Sequence, residues 1–158
     1  MSEPFVPTSP GEPLTIGWKE YITFPEWGVP LVKAKIDTGA RTSALDAKRC
    51  ELIHRSTGLL ARLELSLIRR HPETVLVVEL PVIRLVVVAS SNGDRQERPV
   101  IETTICLGPI TKRLELTVTD RSPMLMPVLL GRSALAGTFI VDALSKYLLG
   151  KKRHTSSQ

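Results

Sequence analysis

In this chain of 158 residues, Asp37-Thr38-Gly39 is the stretch whose residue types, in that order, suit bond-breaking chemistry. The residues before it, Leu31-Val32-Lys33-Ala34-Lys35-Ile36, roughly alternate apolar and polar as a half-buried strand does. Such a strand delivers a lone carboxylate to the tip of an apolar element, where it is partly desolvated. The Thr38 hydroxyl can donate to a backbone carbonyl and fix the loop. Gly39 lets the backbone approach another chain or a substrate with no Cβ in the way. The same three residues also make an ordinary turn, with the Asp side chain bonding the backbone two residues on. The tripeptide alone leaves both readings open.

The elements that position this loop are mostly strands. Arg62-Leu63-Glu64-Leu65-Ser66-Leu67 and Arg113-Leu114-Glu115-Leu116-Thr117-Val118-Thr119 alternate cleanly. Residues 75–78 and 85–88 are β-branched and apolar, as buried strands are. Asn92-Gly93 between two extended runs predicts a hairpin, and Gly108-Pro109 predicts another turn. One short helix is expected over residues 132–136, closed by Gly137, before Thr138-Phe139-Ile140-Val141 returns to strand chemistry. Many short strands separated by turns predict an all-β barrel or sandwich. Residues 62–67 echo residues 113–118, either through duplication of a half-barrel or through the sameness of amphipathic strands.

Composition narrows the function. The 42% apolar content supports a sizeable core, and the length suits one domain. A Pro-rich tail is expected over residues 1–14, a folded domain over 15–150, and a basic tail over 151–158. The net charge of +5 is mild, and aromatics at 4% are too few for a row of base-stacking rings, so a nucleic-acid partner is not expected. No apolar run is long enough for a membrane helix, and the N-terminus lacks the pattern of a secretory signal. With only Cys50 and Cys106 there is no disulfide framework, and a cytoplasmic protein is expected. Cys50 and His54 lack a third ligand, and no phosphate-cradling loop is visible, so neither a metal nor a cofactor is expected. Ser43 and Ser133 have no His in any motif, and Trp18, Tyr21 and Trp27 read as packing.

A second segment changes the weight of the first. Met126-Pro127-Val128-Leu129-Leu130-Gly131-Arg132-Ser133-Ala134-Leu135 is an apolar strand, a Gly-Arg and a short helix. Together with Lys33-Ala34-Lys35-Ile36-Asp37-Thr38-Gly39-Ala40-Arg41-Thr42-Ser43-Ala44-Leu45 it resembles the retropepsin-like aspartic proteases. Gly17-Trp18-Lys19-Glu20, Arg98-Pro99-Val100-Ile101 and Thr119-Asp120-Arg121-Ser122-Pro123-Met124 extend the resemblance to the RimB-like subfamily. That subfamily is often labelled "ATP-dependent zinc protease" and is found alongside ATP-grasp ligases that add glutamate.

The resemblance implies a closed barrel of about six strands with one short C-terminal helix. It implies catalysis by Asp37, Thr38 and Gly39 in a homodimer, because an aspartic protease needs two carboxylates and this chain offers one such loop. Leu130, Gly131 and Arg132 would support the site. Ala40, Arg41, Asn92 and Gly93 would bind substrate, the last two in a hairpin that is either a covering flap or a plain surface loop. Viral relatives usually carry an acidic residue at the position of Arg41, where it pairs with the Arg of the Gly-Arg. Arg132 would then pair with Asp142, Asp46 or Asp120. Arg41 would either grip substrate carboxylates through its fork or be structural. The implied activity is hydrolysis of acidic, glutamate-rich peptide or isopeptide tails made by an ATP-grasp ligase. The alternative is a non-catalytic barrel that binds such tails or the ligase.

Overall fold

Alternating side chains become strands almost wherever they occur in this chain. The computed structural model describes residues 11–89, 93–119 and 126–150, which hold twelve strands and one helix. Both predicted tails lie largely outside these residues, as do Asn92 and Asp120. Four strands lead up to and away from the Asp37 loop: β1 (Leu14–Gly17), β2 (Lys19–Phe24), β3 (Val29–Ile36) and β4 (Ala44–Asp46). They are followed by β5 (Arg49–Arg55), β6 (Gly58–Leu65), β7 (Leu76–Pro81) and β8 (Arg84–Ala89). Two long strands come next, β9 (Arg95–Leu107) and β10 (Ile110–Thr119), then β11 (Val128–Leu130), α1 (Arg132–Leu135) and β12 (Phe139–Asp142).

Six strands close into a ring in the order β10, β4, β11, β3, β2, β9 and back to β10, with β8 hanging from β9. The expected all-β architecture with one short helix is present, and the closed element is this ring. Its inward residues form the core, among them Ile22, Phe24, Val32, Ile36, Leu45, Ile101, Leu116 and Leu130. Gly108, at φ +59, starts the two-residue turn between β9 and β10, a conformation that a Cβ would oppose.

The other strands form two smaller sheets. β5, β6 and β7 make a separate three-stranded sheet, and β1 pairs with β12 in parallel. The echoing segments 62–67 and 113–118 therefore belong to different sheets: β6 is central in the three-stranded one, and β10 is part of the ring. Shared alternation accounts for their likeness, since each buries every second residue.

Buried Glu20 ties the chain's end to its beginning. Its carboxylate accepts from the Gly17 amide at 2.7 Å and from the Leu148 and Leu149 amides at 2.9 and 3.3 Å. Tyr21 stacks on Tyr147 and Phe24 on Trp27, so Tyr21 and Trp27 are packed as expected.

Candidate active site

β3 carries the chain to Asp37, and β11 lies alongside in parallel, with Ala34, Lys35 and Ile36 facing Val128, Leu129 and Leu130. On its other side β11 pairs antiparallel with β4. The segment containing Leu130-Gly131-Arg132 is thus threaded between the strand that enters the Asp37 loop and the strand that leaves it. These two sequence-distant segments are the ones the sequence singles out, and they meet here.

The loop is held by a dense set of bonds. The Asp37 amide donates to the Leu130 carbonyl at 2.9 Å, and the Ala40 amide donates back to the Asp37 carbonyl at 3.2 Å. The Arg132 and Ser133 amides donate to the Ala40 and Arg41 carbonyls at 2.8 and 3.0 Å. The Gly131 amide donates to Ser43 Oγ at 3.0 Å, in a buried setting. A Cβ at Gly131 would run into the Thr42 carbonyl and lie 2.8 Å from the Ala40 oxygen. Only glycine lets the two backbones come this close.

Asp37 is half-buried. Its Oδ1 accepts from the Gly39 amide at 2.9 Å, so the turn reading of Asp-Thr-Gly is also correct. The turn fixes one carboxylate oxygen. Oδ2 receives no hydrogen bond from any described residue. Thr38, Gly39 and Arg41 are exposed, and Ala40 is half-buried. The Arg41 side chain has no carboxylate partner among the described residues.

Arg132 corrects an expectation. Its partner is neither Asp46 nor Asp142: Nη1 donates to the Thr38 backbone carbonyl at 3.0 Å. Asp46, only 1% exposed, is paired with Arg69 at 2.7 Å. Asp142 accepts from the Ser145 hydroxyl at 2.8 Å and the Leu144 amide at 3.0 Å. With both acids occupied locally, the guanidinium bonds a loop carbonyl instead. Asp120 lies outside the described residues.

β8 and β9 pair antiparallel from Arg84 with Val100 to Ala89 with Arg95, which forms the expected hairpin. Gly93 lies at its turn with φ +92, and Asn92 is outside the described residues. Cys50 and His54 both sit exposed on β5, and no group of three His, Cys, Asp or Glu among the described residues is arranged to hold a metal.

Two supporting residues were not foreseen. Ser43 reads as a failed nucleophile, whereas its hydroxyl is the acceptor for Gly131; a small hydroxyl six positions after Asp37 is a faint signal. Lys112 reaches from β10 to the end of α1, donating to the Ala134 carbonyl at 2.8 Å and to Thr138 Oγ1 at 3.2 Å. Burial lowers its pKa below the ordinary lysine value.

A family described as retropepsin-like aspartic endopeptidase RimB matches residues 15–152, nearly the whole described part of the chain. The chain belongs to the RimB-like family. Proteins named probable alpha-L-glutamate ligase are also similar to it. That of Shewanella pealeana is 36% identical over 137 residues, covering 87% of this chain and 30% of the relative. That of Desulfotalea psychrophila is 33% identical over 136 residues, covering 86% of this chain and 29% of the relative. The RimB-like chain thus spans about 30% of the length of the curated relatives it matches. A crystal structure of a Legionella pneumophila protein of unknown function has the same fold, with a TM-score of 0.71 at 23% identity over 86% of this chain and 98% of that one. No helix among the described residues is long and apolar enough to cross a membrane.

Proposed function

We propose that this RimB-like protein is a cytoplasmic aspartic peptidase that works as a homodimer, with Asp37 of each copy facing the other across a two-fold axis. Two carboxylates about 3 Å apart cannot both ionise, so the pair holds one proton. The ionised Asp37 takes a proton from water as the water oxygen attacks the scissile carbonyl carbon. The protonated Asp37 gives its proton to the carbonyl oxygen. Collapse of the tetrahedral intermediate returns a proton to the leaving amine and restores the shared-proton pair. Thr38 bonds across the axis, and the Gly39 amide keeps each Oδ1 in place. Ala40, Arg41 and Gly93 of the hairpin line the cleft.

The substrate class we infer is an acidic, glutamate-rich tail made by an ATP-grasp ligase, with Arg41 gripping its carboxylates. The support comes from the exposed Arg41, which has no carboxylate partner among the described residues, and from relatives named glutamate ligases, in which a segment like this chain is part of a longer protein.

The observation that carries the peptidase reading is the crossing of the Asp37 loop with Leu130-Gly131-Arg132, within which the Gly39 amide fixes Oδ1 and no described residue donates to Oδ2. The test is Asp37→Asn, assayed by mass spectrometry on a glutamylated peptide and by sedimentation. Loss of hydrolysis with the dimer intact is expected. Full activity in the variant, or a monomer at all concentrations in the unaltered protein, overturns the reading. The same relatives favour a second reading, a non-catalytic domain that recognises acidic tails or the ligase. Stable binding of a glutamylated peptide with no cleavage would select it.

A further inference from the structure

One cavity, with no residue of the Asp37 loop in its lining, has a chemistry of its own. It measures about 480 Å³ and lies between the start of β3 and the segment that follows β6. Small-molecule sites usually occupy about 300–1,000 Å³ and join an apolar wall to a few placed polar groups. Here the wall includes Leu31, Ile68 and Pro127, and the charged lining residues are Lys33, Arg69 and Arg70. All three are cationic, and no carboxylate lines the cavity among the described residues.

Arg69 is fixed before any ligand arrives. One of its nitrogens, Nη2, donates to Asp46 at 2.7 Å, and Nη1 donates to the Ser66 carbonyl at 3.0 Å. Its Nε–H is buried and has no hydrogen-bond partner among the described residues. A buried donor left unmade is costly, so such groups call for an explanation. Asp46 balances one of the three charges, which leaves the cavity cationic.

Leu31 is the second irregularity at this place. Ile22 faces Val32 and Phe24 faces Val29, so Thr23 alone stands opposite Pro30 and Leu31. This is a β-bulge, and Leu31 adopts φ +58, an unusual conformation for a branched side chain. Bulges re-aim side chains, and strained residues gather where a ligand is held. Leu31 lies six positions before Asp37 on β3, a separation of roughly 20 Å along an extended strand.

We propose that this cavity binds a small organic carboxylate with an apolar body, its charge met by Arg69 with Lys33 and Arg70 and its body lying against Leu31, Ile68 and Pro127. The site is independent of the peptidase reading. The test uses the ¹⁵N-labelled full chain titrated with octanoate, octanol and acetate. Octanoate is expected to move the amides of Leu31, Ile68 and Arg70 together and saturably, whereas octanol and acetate leave them unmoved at the same concentrations. Replacing Lys33→Glu and Arg70→Glu together, both exposed positions, is expected to weaken octanoate at least about tenfold with an unchanged melting temperature. Absence of saturable shifts, equal effects of octanol or acetate, or undiminished binding in the double variant overturns the proposal. So does a poly-glutamate peptide that moves these amides more tightly than octanoate, because the cavity would then belong to a peptide.

Discussion

Arg132 Nη1 donates to the backbone carbonyl of Thr38 at 3.0 Å, so the first residue of α1 braces the loop beyond Asp37 from outside. The acceptor is neutral and the bond is exposed, so losing it costs global stability about 1 kcal/mol or less. Its effect is on position. Arg132→Ala is expected to slow hydrolysis of a glutamylated peptide at least about tenfold while the melting temperature stays near that of the unaltered protein. Arg132→Lys keeps one donor and should recover part of the rate. Steady-state kinetics beside thermal melts decide it, and an undiminished rate in the alanine variant contradicts it.

The Gly131 crossing is expected to be the least tolerant point of the fold. Gly131→Ala drives a methyl into two backbone carbonyls, which cannot rotate away, and should destabilise by about 3 kcal/mol. Ser43→Ala removes only the acceptor of the buried Gly131 amide and should cost about 1–3 kcal/mol. Gly137→Ala serves as the comparison, because open space surrounds that glycine and only its φ of +79 resists the change, at about 1 kcal/mol. Urea unfolding of the three variants should rank Gly131→Ala as the most damaging, and a Gly137→Ala variant less stable than Gly131→Ala would contradict this.

Arg41→Ala should separate substrates by charge. Turnover of a poly-glutamate peptide is expected to fall at least about tenfold, while that of a neutral peptide of the same length changes little. Equal losses on both would make Arg41 a structural residue of the loop.

Lys112 gives a pH signature. Burial places its pKa in the fold below the ordinary 10.5. Between the lowered value and 10.5 the unfolded chain binds more protons at this position than the fold does, so stability from this position rises with pH across that window. Below it the burial penalty is constant. Lys112→Met lacks the rise. Unfolding free energies of both proteins at a series of alkaline pH values should therefore shift in favour of the lysine form, and a flat difference would refute the assignment.

The strands most legible in the sequence were those that expose one face. Residues 113–119, which alternate, fall within β10, and residues 85–88 fall within β8, but the burial expected of 75–78 and 85–88 is not found: Val75, Val77, Leu85 and Val87 are exposed. β4 was not legible: three residues placed between β10 and β11 have no periodicity to show, and tertiary pairing alone makes them a strand. β5 was missed because its face is largely exposed and its sequence mixes Cys, Glu, His and Arg among the apolar residues. The meeting of Asp37 with Gly131 came from resemblance to a family, since no local pattern links residues so far apart. The partner of Arg132 escaped because sequence reasoning looks for acids, and a backbone carbonyl has no letter of its own.

The threading of β11 between β3 and β4 also has a consequence for biosynthesis. A nascent chain that has emerged only as far as β10 carries Asp37 but lacks the strand that shapes its loop. Closure waits for long-range pairing, which is slow to form. No copy therefore acquires its ordered Asp37 loop until β11 has been made and has paired with β3 and β4.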